Sequence, residues 1–149
     1  MKKSNHISTD VSDFYDQFPY PSDPILDGLP KHFDWRLSIE DVFSYCTGTL
    51  LLDENSSDKL RILDAGCGTG LSTNYLAHQN PGAEILAIDI SKVAISIAQE
   101  RLARSSALDK ASVLIKQKSL DQIQSKNTFD YINSFGVLQH LTDPTSSLI

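Results

Sequence analysis

The sequence has few of the residues that build disulfide-bonded, membrane-spanning or metal-binding proteins. Its two cysteines, Cys46 and Cys67, are too few for a disulfide framework, and we interpret them as reduced thiols. No segment approaches the roughly 18 apolar residues of a membrane span, and the N-terminus lacks the apolar core of a signal peptide. The four histidines show no metal-ligand spacing. We therefore expect a cytoplasmic protein without a membrane anchor or a bound metal.

Positive charge is scarce as well. The 149 residues include 13 lysines and arginines against 19 acidic residues, which gives a net charge of −6. This balance argues against binding to nucleic acid or to an anionic membrane surface. The hydrophobic content of 40% is ordinary, and a chain of this length can bury a real core. These totals indicate a globular domain whose ligand is not a large polyanion.

What the sequence does contain is a regular succession of apolar strands and helical segments from residue 60 onwards. Helices are predicted over residues 71–78 and from the capping residue Ser91 to Leu102. Strands that alternate with helices indicate βαβ units, and hence an α/β fold with a Rossmann-like, doubly wound parallel sheet. Pro144 stands where a further helix would begin. The predicted strands cover residues 60–63, 85–88, 113–115 and 129–133.

The first 58 residues are predicted to form an N-terminal arm beside this domain, which would cover residues 59–149. Residues 1–35 combine prolines with aromatic side chains, so we expect an irregular segment packed on the domain and not a disordered one. Residues 36–52 have the apolar spacing of a helix, and residues 53–58 have the composition of a polar loop.

The turn after the first strand, residues 64–70, carries the strongest chemical signal, and we refer to it as the glycine turn. Its three glycines let backbone approach a ligand closely, because glycine lacks a Cβ atom. Their GxGxG spacing departs from the dinucleotide fingerprint GxGxxG, since Leu71 takes the last glycine's place. Asp64 would repel a pyrophosphate, whereas S-adenosylmethionine (SAM) carries an ammonium and a sulfonium group. The candidate binding residues here are Asp64, Ala65, Gly66, Cys67, Gly68 and Gly70.

Asp89 closes the second predicted strand, 19 residues after Gly70. In a doubly wound sheet, an acid at this position faces the ribose of a ligand bound at the first turn. Its two oxygens can accept hydrogen bonds from both ribose hydroxyls. The alternative is a solvated acid that stabilises the N-terminus of the next helix. Ile90, the following residue, belongs to the same part of the candidate site.

Residues after the third and fourth strands complete the candidate site. Ser119 and Leu120 follow the third strand, where they can bond an adenine edge and cover its ring, although an ordinary loop explains them too. Asn133 and Ser134 end the fourth strand next to the glycine turn, so they can flank the methionine part of the ligand. His140 is the candidate catalytic residue, with a surface or structural role as the alternative.

In this order, four motifs resemble those of the class I SAM-dependent methyltransferases, over about residues 60–147. They read ILDAGCGTG, AIDIS, a Ser-Leu step and FDYINSFGVLQHLTDP. The resemblance implies that Asp89 holds the ribose of SAM, while Ser119 and Leu120 hold the adenine. The residues implied to hold its amino-acid end are Asp64, Gly66 and Gly68.

The resemblance extends to the arm and to the order of the strands. The segment FYDQFPYP resembles the entry segment of a bacterial subgroup, which implies that Tyr15 or Tyr20 folds over the cofactor as a lid. The family's sheet has seven strands in the order 3-2-1-4-5-7-6, and this sequence stops at Ile149, after the fourth. We therefore expect the cofactor-binding half of a methyltransferase. Its fourth strand would be an open edge that pairs with a second copy or a complementing C-terminal half.

Three functions stay open from the sequence. The first is SAM-dependent methyl transfer to a small-molecule acceptor, with the methylated atom (O, N or C) unassigned. The second is nicotinamide-dependent oxidation and reduction, which the glycine spacing disfavours. The third is a non-catalytic or partner-dependent fragment of a methyltransferase.

Overall fold

The protein is built on a four-stranded parallel sheet with α-helices packed against it and a helical N-terminal arm. The computed structural model describes residues 2–28, 30–49, 59–123 and 127–145. The elements are the strands β1 (Arg61–Ala65), β2 (Glu84–Asp89), β3 (Ser112–Gln117) and β4 (Tyr131–Ser134), and the helices α1 (Lys2–Gln17), α2 (Ile39–Thr47), α3 (Leu71–Gln79) and α4 (Lys92–Arg104).

The order of the strands is β3-β2-β1-β4, and all three strand pairs are parallel. Helix α3 connects β1 to β2, and α4 connects β2 to β3. The chain then crosses to the far side of β1 and adds β4. The carboxyl ends of β1 and β4 therefore flank a topological switch point, which is where open α/β sheets bind ligands. The predicted α/β architecture is confirmed.

One face of the sheet packs against α3 and α4. Ile62 and Ile85 of the strands, Leu76 of α3 and Leu102 of α4 are all at least 98% buried in this layer. Burying an aliphatic side chain of this size contributes about 1.5–3 kcal/mol, so this layer is a main source of stability. Helix α4 begins at the predicted cap, because the Ser91 hydroxyl accepts a hydrogen bond from the Ala94 N–H at 3.0 Å.

The N-terminal arm contains more helix than the sequence predicts. The prediction of an irregular segment over residues 1–35 is wrong for Lys2–Gln17, which form α1. No proline precedes Pro19, so nothing in the first 18 residues interrupts a helix. Val11 and Tyr15 lie one turn apart and line the same cavity, and the polar residues around them hide this periodicity.

The other elements differ from the prediction only at their ends. Each strand begins and ends within two residues of its predicted bounds. Helix α2 stops at Thr47 because Gly48, with a φ of 71°, adopts the left-handed conformation that ends helices. Residues 50–58, which include the predicted loop and arm boundary, lie outside the described residues, as do residues 146–149 beyond Pro144. None of the helices in the described ranges is long and apolar enough to cross a membrane.

Candidate cofactor site

Two cavities flank the glycine turn at the carboxyl ends of β1, β2 and β4. The first cavity, about 110 Å³, lies on the β2 side, and the second, about 350 Å³, lies between β4 and α3. Together they reach the range of roughly 300–1,000 Å³ that is typical of ligand sites. Both cavities share the wall formed by Tyr20, Gly66, Gly68 and Phe135. One elongated ligand could therefore contact both.

The first cavity brings together most of the predicted site residues. Lys118 and Val137 also line it, and the sequence analysis did not select them. The predicted residues in its wall are Tyr15, Tyr20, Gly66, Gly68, Asp89, Ile90, Ser119, Leu120 and His140.

The second cavity is lined by fewer of the predicted residues than the first, and by several polar side chains that were not predicted. Cys67 and Asn133 line it as predicted, and burial raises the pKa of the Cys67 thiol, which keeps it protonated. Asp34 and Arg36 of the arm line it too, and they were not predicted. Four predicted residues of the described chain line neither cavity, namely Asp64, Ala65, Gly70 and Ser134.

Asp89 is a fixed carboxylate in the wall of the first cavity. Its Oδ2 accepts a hydrogen bond from the Gly68 N–H at 2.9 Å, and its Oδ1 accepts one from the Ser91 N–H at 2.9 Å. Burial raises the pKa of Asp89, and these backbone donors oppose the rise. Each oxygen keeps further acceptor capacity. The carboxylate is therefore oriented to accept hydrogen bonds from a ligand in this cavity.

Asp64 lies beneath the three glycines of the turn, in the interior of the protein, and not at the mouth of the turn. Strand β1 continues to Ala65, so the Asp64 side chain projects from the strand and is wholly buried. Its Oδ2 accepts from the hydroxyls of Ser72 (2.8 Å) and Thr73 (2.6 Å), and its Oδ1 accepts from the Asn133 amide (2.8 Å). Burial raises its pKa, and the three donors oppose the shift. Asp64 therefore joins β1 to α3 and β4, and it orients Asn133.

The three glycines of the turn make room for neighbouring protein atoms, while Gly66 and Gly68 also line the two cavities. All three have positive φ, between 51° and 80°. A Cβ atom at Gly66 would collide with the Val137 side chain, and one at Gly68 would collide with the Tyr20 carbonyl. At Gly70 it would lie 2.7 Å from the Ala98 Cβ of α4. The turn is therefore packed tightly against the loop that follows β4, against the arm and against α4.

Tyr15 and His140 meet at the outer wall of the first cavity. The Tyr15 hydroxyl lies 3.2 Å from His140 Nε2, and the two rings meet edge to face with centroids 5.7 Å apart. Tyr15 belongs to α1, whereas His140 belongs to a single helical turn, Leu138–His140, after β4. The predicted lid residue and the predicted catalytic residue are thus in contact, although 125 positions separate them in sequence.

Arg36 reaches the second cavity because hydrogen bonds hold its backbone to the domain. Gln79 of α3 exchanges two bonds with the backbone of Asp34, at 2.8 and 2.6 Å, and the Tyr131 hydroxyl donates to the Arg36 carbonyl at 2.9 Å. The Arg36 guanidinium pairs with the Asp34 carboxylate at 2.7 Å and is 67% exposed. No local pattern around Arg36 indicates this position, which depends on contacts distant in sequence.

The donors and acceptors around the two cavities fit SAM. The first cavity offers the Asp89 carboxylate for ribose hydroxyls and an apolar wall that includes Ile90 and Leu120 for adenine. The second contains the ion pair of Arg36 with Asp34, and the Arg36 guanidinium keeps further N–H donors for a ligand carboxylate. The Ser134 hydroxyl at the end of β4 is buried without a hydrogen-bond partner among the described residues, but it lines neither cavity and so does not bear on the ligand.

Comparison with known proteins assigns the chain to a family of methyltransferase domains. A family model described as a methyltransferase domain matches residues 63–149. An uncharacterized protein of Synechococcus sp. is 46% identical over 143 residues, which cover 95% of this chain and 33% of that protein. The chain thus spans about a third of the length of this relative.

Solved structures share the fold. Magnesium protoporphyrin IX methyltransferase from Synechocystis PCC 6803, solved with bound SAM, is 25% identical with a TM-score of 0.57, and the match covers 90% of this chain and 64% of that one. The (4+2)-cyclase SpnF has a TM-score of 0.64 over 95% of this chain and 54% of its own, at 22% identity, which shows a common fold alone. With the family match over residues 63–149, we conclude that this chain belongs to the class I SAM-dependent methyltransferases.

Proposed function

We propose that the protein binds SAM across the two cavities and transfers its methyl group to a small-molecule acceptor. The position of Asp89 supports this proposal best, because its carboxylate is held in a cavity wall next to the glycine turn. In the proposal, Asp89 accepts hydrogen bonds from the ribose hydroxyls. Ile90, Ser119 and Leu120 surround the adenine in the first cavity.

The amino-acid end of SAM would extend towards the second cavity. There Arg36 supplies the positive charge for the carboxylate, and the glycine turn supplies backbone groups at Gly66 and Gly68. Asp64 acts through Asn133, which it orients by the 2.8 Å hydrogen bond described above. Tyr20, in the shared wall, covers the middle of the cofactor as a lid.

SAM supplies an activated methyl group, so the protein has to bind, orient and exclude water. In the proposal, His140 takes a proton from an acceptor that must lose one, and the 3.2 Å contact with Tyr15 supports a fixed orientation of its ring. In the proposal, Tyr15 of α1 shields the part of the first cavity whose wall it forms together with Val11. The small-molecule class of the acceptor and the cytoplasmic location stay predictions.

Binding measurements with SAM, its demethylated product S-adenosylhomocysteine (SAH), and NAD test this function. We expect calorimetry to show binding of SAM and SAH and none of NAD. Asp89→Asn should weaken SAH binding about tenfold or more, because hydrogen bonds to a charged group contribute roughly 1.5–3 kcal/mol. Asp109→Asn, at an exposed carboxylate in another part of the chain, is the matched control and should bind SAH as the natural sequence does.

The other two functions predict different results in the same titration. Binding of NAD without SAM would establish a nicotinamide-dependent protein and refute the proposal. Binding of neither would favour the non-catalytic or partner-dependent fragment. Size-exclusion chromatography of the same samples shows whether a second copy is bound, as expected if the chain pairs with itself.

A further inference from the structure

The arm segment Tyr20–Pro24 is hydrogen-bonded to the backbone of the glycine turn. Thr69 makes two of these bonds: its N–H donates to the Tyr20 carbonyl at 3.1 Å, and its hydroxyl donates to the Pro21 carbonyl at 2.7 Å. The absent side chain of Gly68 leaves the space that the Tyr20 carbonyl occupies. The arm and the turn are therefore in direct backbone contact at this point.

Arg101 of α4 completes the attachment from the other side. Its Nε donates to the Thr69 carbonyl at 2.9 Å, its Nη1 to the Pro24 carbonyl at 3.1 Å, and its Nη2 to the Asp23 carbonyl at 2.8 Å. Arg101 is only 3% exposed, and arginine is rarely buried to this extent without partners. A planar guanidinium presents several N–H groups in a fixed fork, so a single side chain can join the turn and the arm.

Arg101 lines neither cavity, so its effect on a ligand has to be indirect. The residue that it helps to place is Tyr20, which stands in the wall shared by both cavities. We propose that Arg101 is a positioning residue, which holds Tyr20–Pro24 on the glycine turn and thereby fixes Tyr20 over the cofactor. The part that concerns the cofactor rests on the proposed function.

Docking of the arm and binding of SAH are thermodynamically linked in this proposal, and the linkage can be measured. If the docked arm favours binding of SAH, then SAH must favour the docked arm by the same factor. The Thr69 N–H reports docking directly, because it exchanges with solvent only when the Tyr20 carbonyl leaves. The Gly70 N–H, bonded to the Cys67 carbonyl at 2.9 Å within the same turn, is the internal reference. SAH should slow exchange at Thr69 more than at Gly70.

Variants at two positions separate docking from general stability. In Arg101→Met we expect about tenfold faster exchange at Thr69 and an SAH dissociation constant raised by a similar factor, because three hydrogen bonds to a charged donor are lost. Arg101→Lys should rescue only part of both effects, since one ammonium cannot reach the three carbonyls. Thr69→Val removes the bond to Pro21 and keeps Arg101, so it provides a second test if Arg101→Met does not fold.

Arg61→Met is the matched control, because Arg61 pairs with Asp130 on the surface at the opposite end of β1. Arg61→Met should leave the exchange rate at Thr69 and the SAH dissociation constant unchanged. The proposal is overturned if folded Arg101→Met and Thr69→Val keep the natural exchange rate at Thr69, or if exchange rises while SAH affinity does not change. If the natural chain binds no SAH, the proposed function fails, and faster Thr69 exchange in the variants would still support the docking of the arm by Arg101.

Discussion

At the scale of single residues, Asp64 and Asp89 show how far a sequence pattern reaches. The sequence predicts both acids as site residues, because each stands near the carboxyl end of a strand. Side-chain donors surround Asp64 in the interior, whereas the backbone N–H groups of Gly68 and Ser91 hold Asp89 in a cavity wall. The sequence does not separate these environments, because it does not fix where each strand ends: β1 continues past Asp64 to Ala65, whereas β2 ends at Asp89.

Replacement of Asp64 by Asn tests the buried role. An amide oxygen cannot satisfy the three donors that converge on the carboxylate, so each donor left without a partner costs about 1–3 kcal/mol. We expect a lower free energy of unfolding in urea. Asp130→Asn, at a surface carboxylate that is 42% exposed, should change it far less. Equal losses in the two variants would contradict the role of Asp64 as the link between β1, α3 and β4.

The residues missed by sequence analysis share a physical reason. Arg36 and Val137 reach the cavities through contacts that connect distant parts of the chain. Apart from Tyr15 and Tyr20, which came from the resemblance of the arm segment, the predicted residues lie at or after strand ends, and parallel strands bring their carboxyl ends to one edge. The order of elements therefore predicts the residues at that edge. It gives no information about the arm that packs over them.

At the scale of elements, α1 is attached to the N-terminus of α4. Asp16 accepts hydrogen bonds from the Ser91 hydroxyl at 2.6 Å and the Val93 N–H at 3.2 Å, and the Ser12 hydroxyl donates to the Ile90 carbonyl at 3.2 Å. A carboxylate at a helix N-terminus is favourable, because unpaired N–H groups and the helix dipole meet it there. The attachment lies within four residues of Asp89, so α1 contacts the same short segment that carries the proposed ribose site.

Acid should release α1 through Asp16. The hydrogen bond from Ser91, followed by that from Val93, lowers the pKa of Asp16 from its ordinary value of 3.8. A carboxylate with a lowered pKa stabilises the docked helix above its ordinary pKa, and this contribution is lost as the pH falls through the lowered value. We expect the Val93 amide signal, followed by NMR, to titrate in the natural chain with a midpoint below the ordinary carboxyl pKa of 3.8.

Asp16→Asn should remove this titration and weaken docking already at neutral pH, since an amide carries no charge. Asp13→Asn, on the exposed side of the same helix, should give the same pH profile of the Val93 amide signal as the natural chain. A Val93 profile that is the same in Asp16→Asn and in the natural chain would show that Asp16 does not attach α1.

Helices α4 and α1 show which kind of helix the sequence predicts and which kind it does not. Helix α4 has an apolar stripe that contains Ala94, Ala98 and Leu102, together with a serine cap, so both its period and its start are local signals. In α1, none of the side chains over residues 9–17, the part whose burial is described, is fully buried, and polar ones such as Asp16 attach the helix to the domain. Its composition therefore resembles that of a loop, and its helical state depends on the domain beneath it.

At the scale of the whole molecule, the second face of the sheet carries an apolar row across all four strands. Leu114, Leu86, Leu63 and Ile132 are register neighbours from β3 to β4. Leu63 is 2% exposed, whereas Leu114 and Ile132, on the outer strands, are 53% and 57% exposed. The buried cluster around Leu63 is completed by strands and connecting segments, not by α3 or α4. Exposed apolar rows of this kind are typical of surfaces that associate.

Self-association should therefore depend on Ile132. We expect light scattering coupled to chromatography to give an apparent mass that rises with concentration for the natural chain and less steeply for Ile132→Lys. Leu108→Lys, at a residue that is 52% exposed but lies outside the row, is the control and should behave as the natural chain does. A natural chain that stays monomeric at every concentration would contradict association through this face.

The packing of Gly68 has a consequence for how this sequence can change. The glycines of such a turn are readily credited to the ligand, yet at position 68 the atom that excludes a side chain is the carbonyl oxygen of Tyr20. Selection on this glycine therefore comes from the arm as well as from any cofactor. A descendant that lost the arm would lose this constraint, and one that kept the arm could not exchange the glycine for another residue. We therefore expect the two segments to change together, although almost fifty residues separate them.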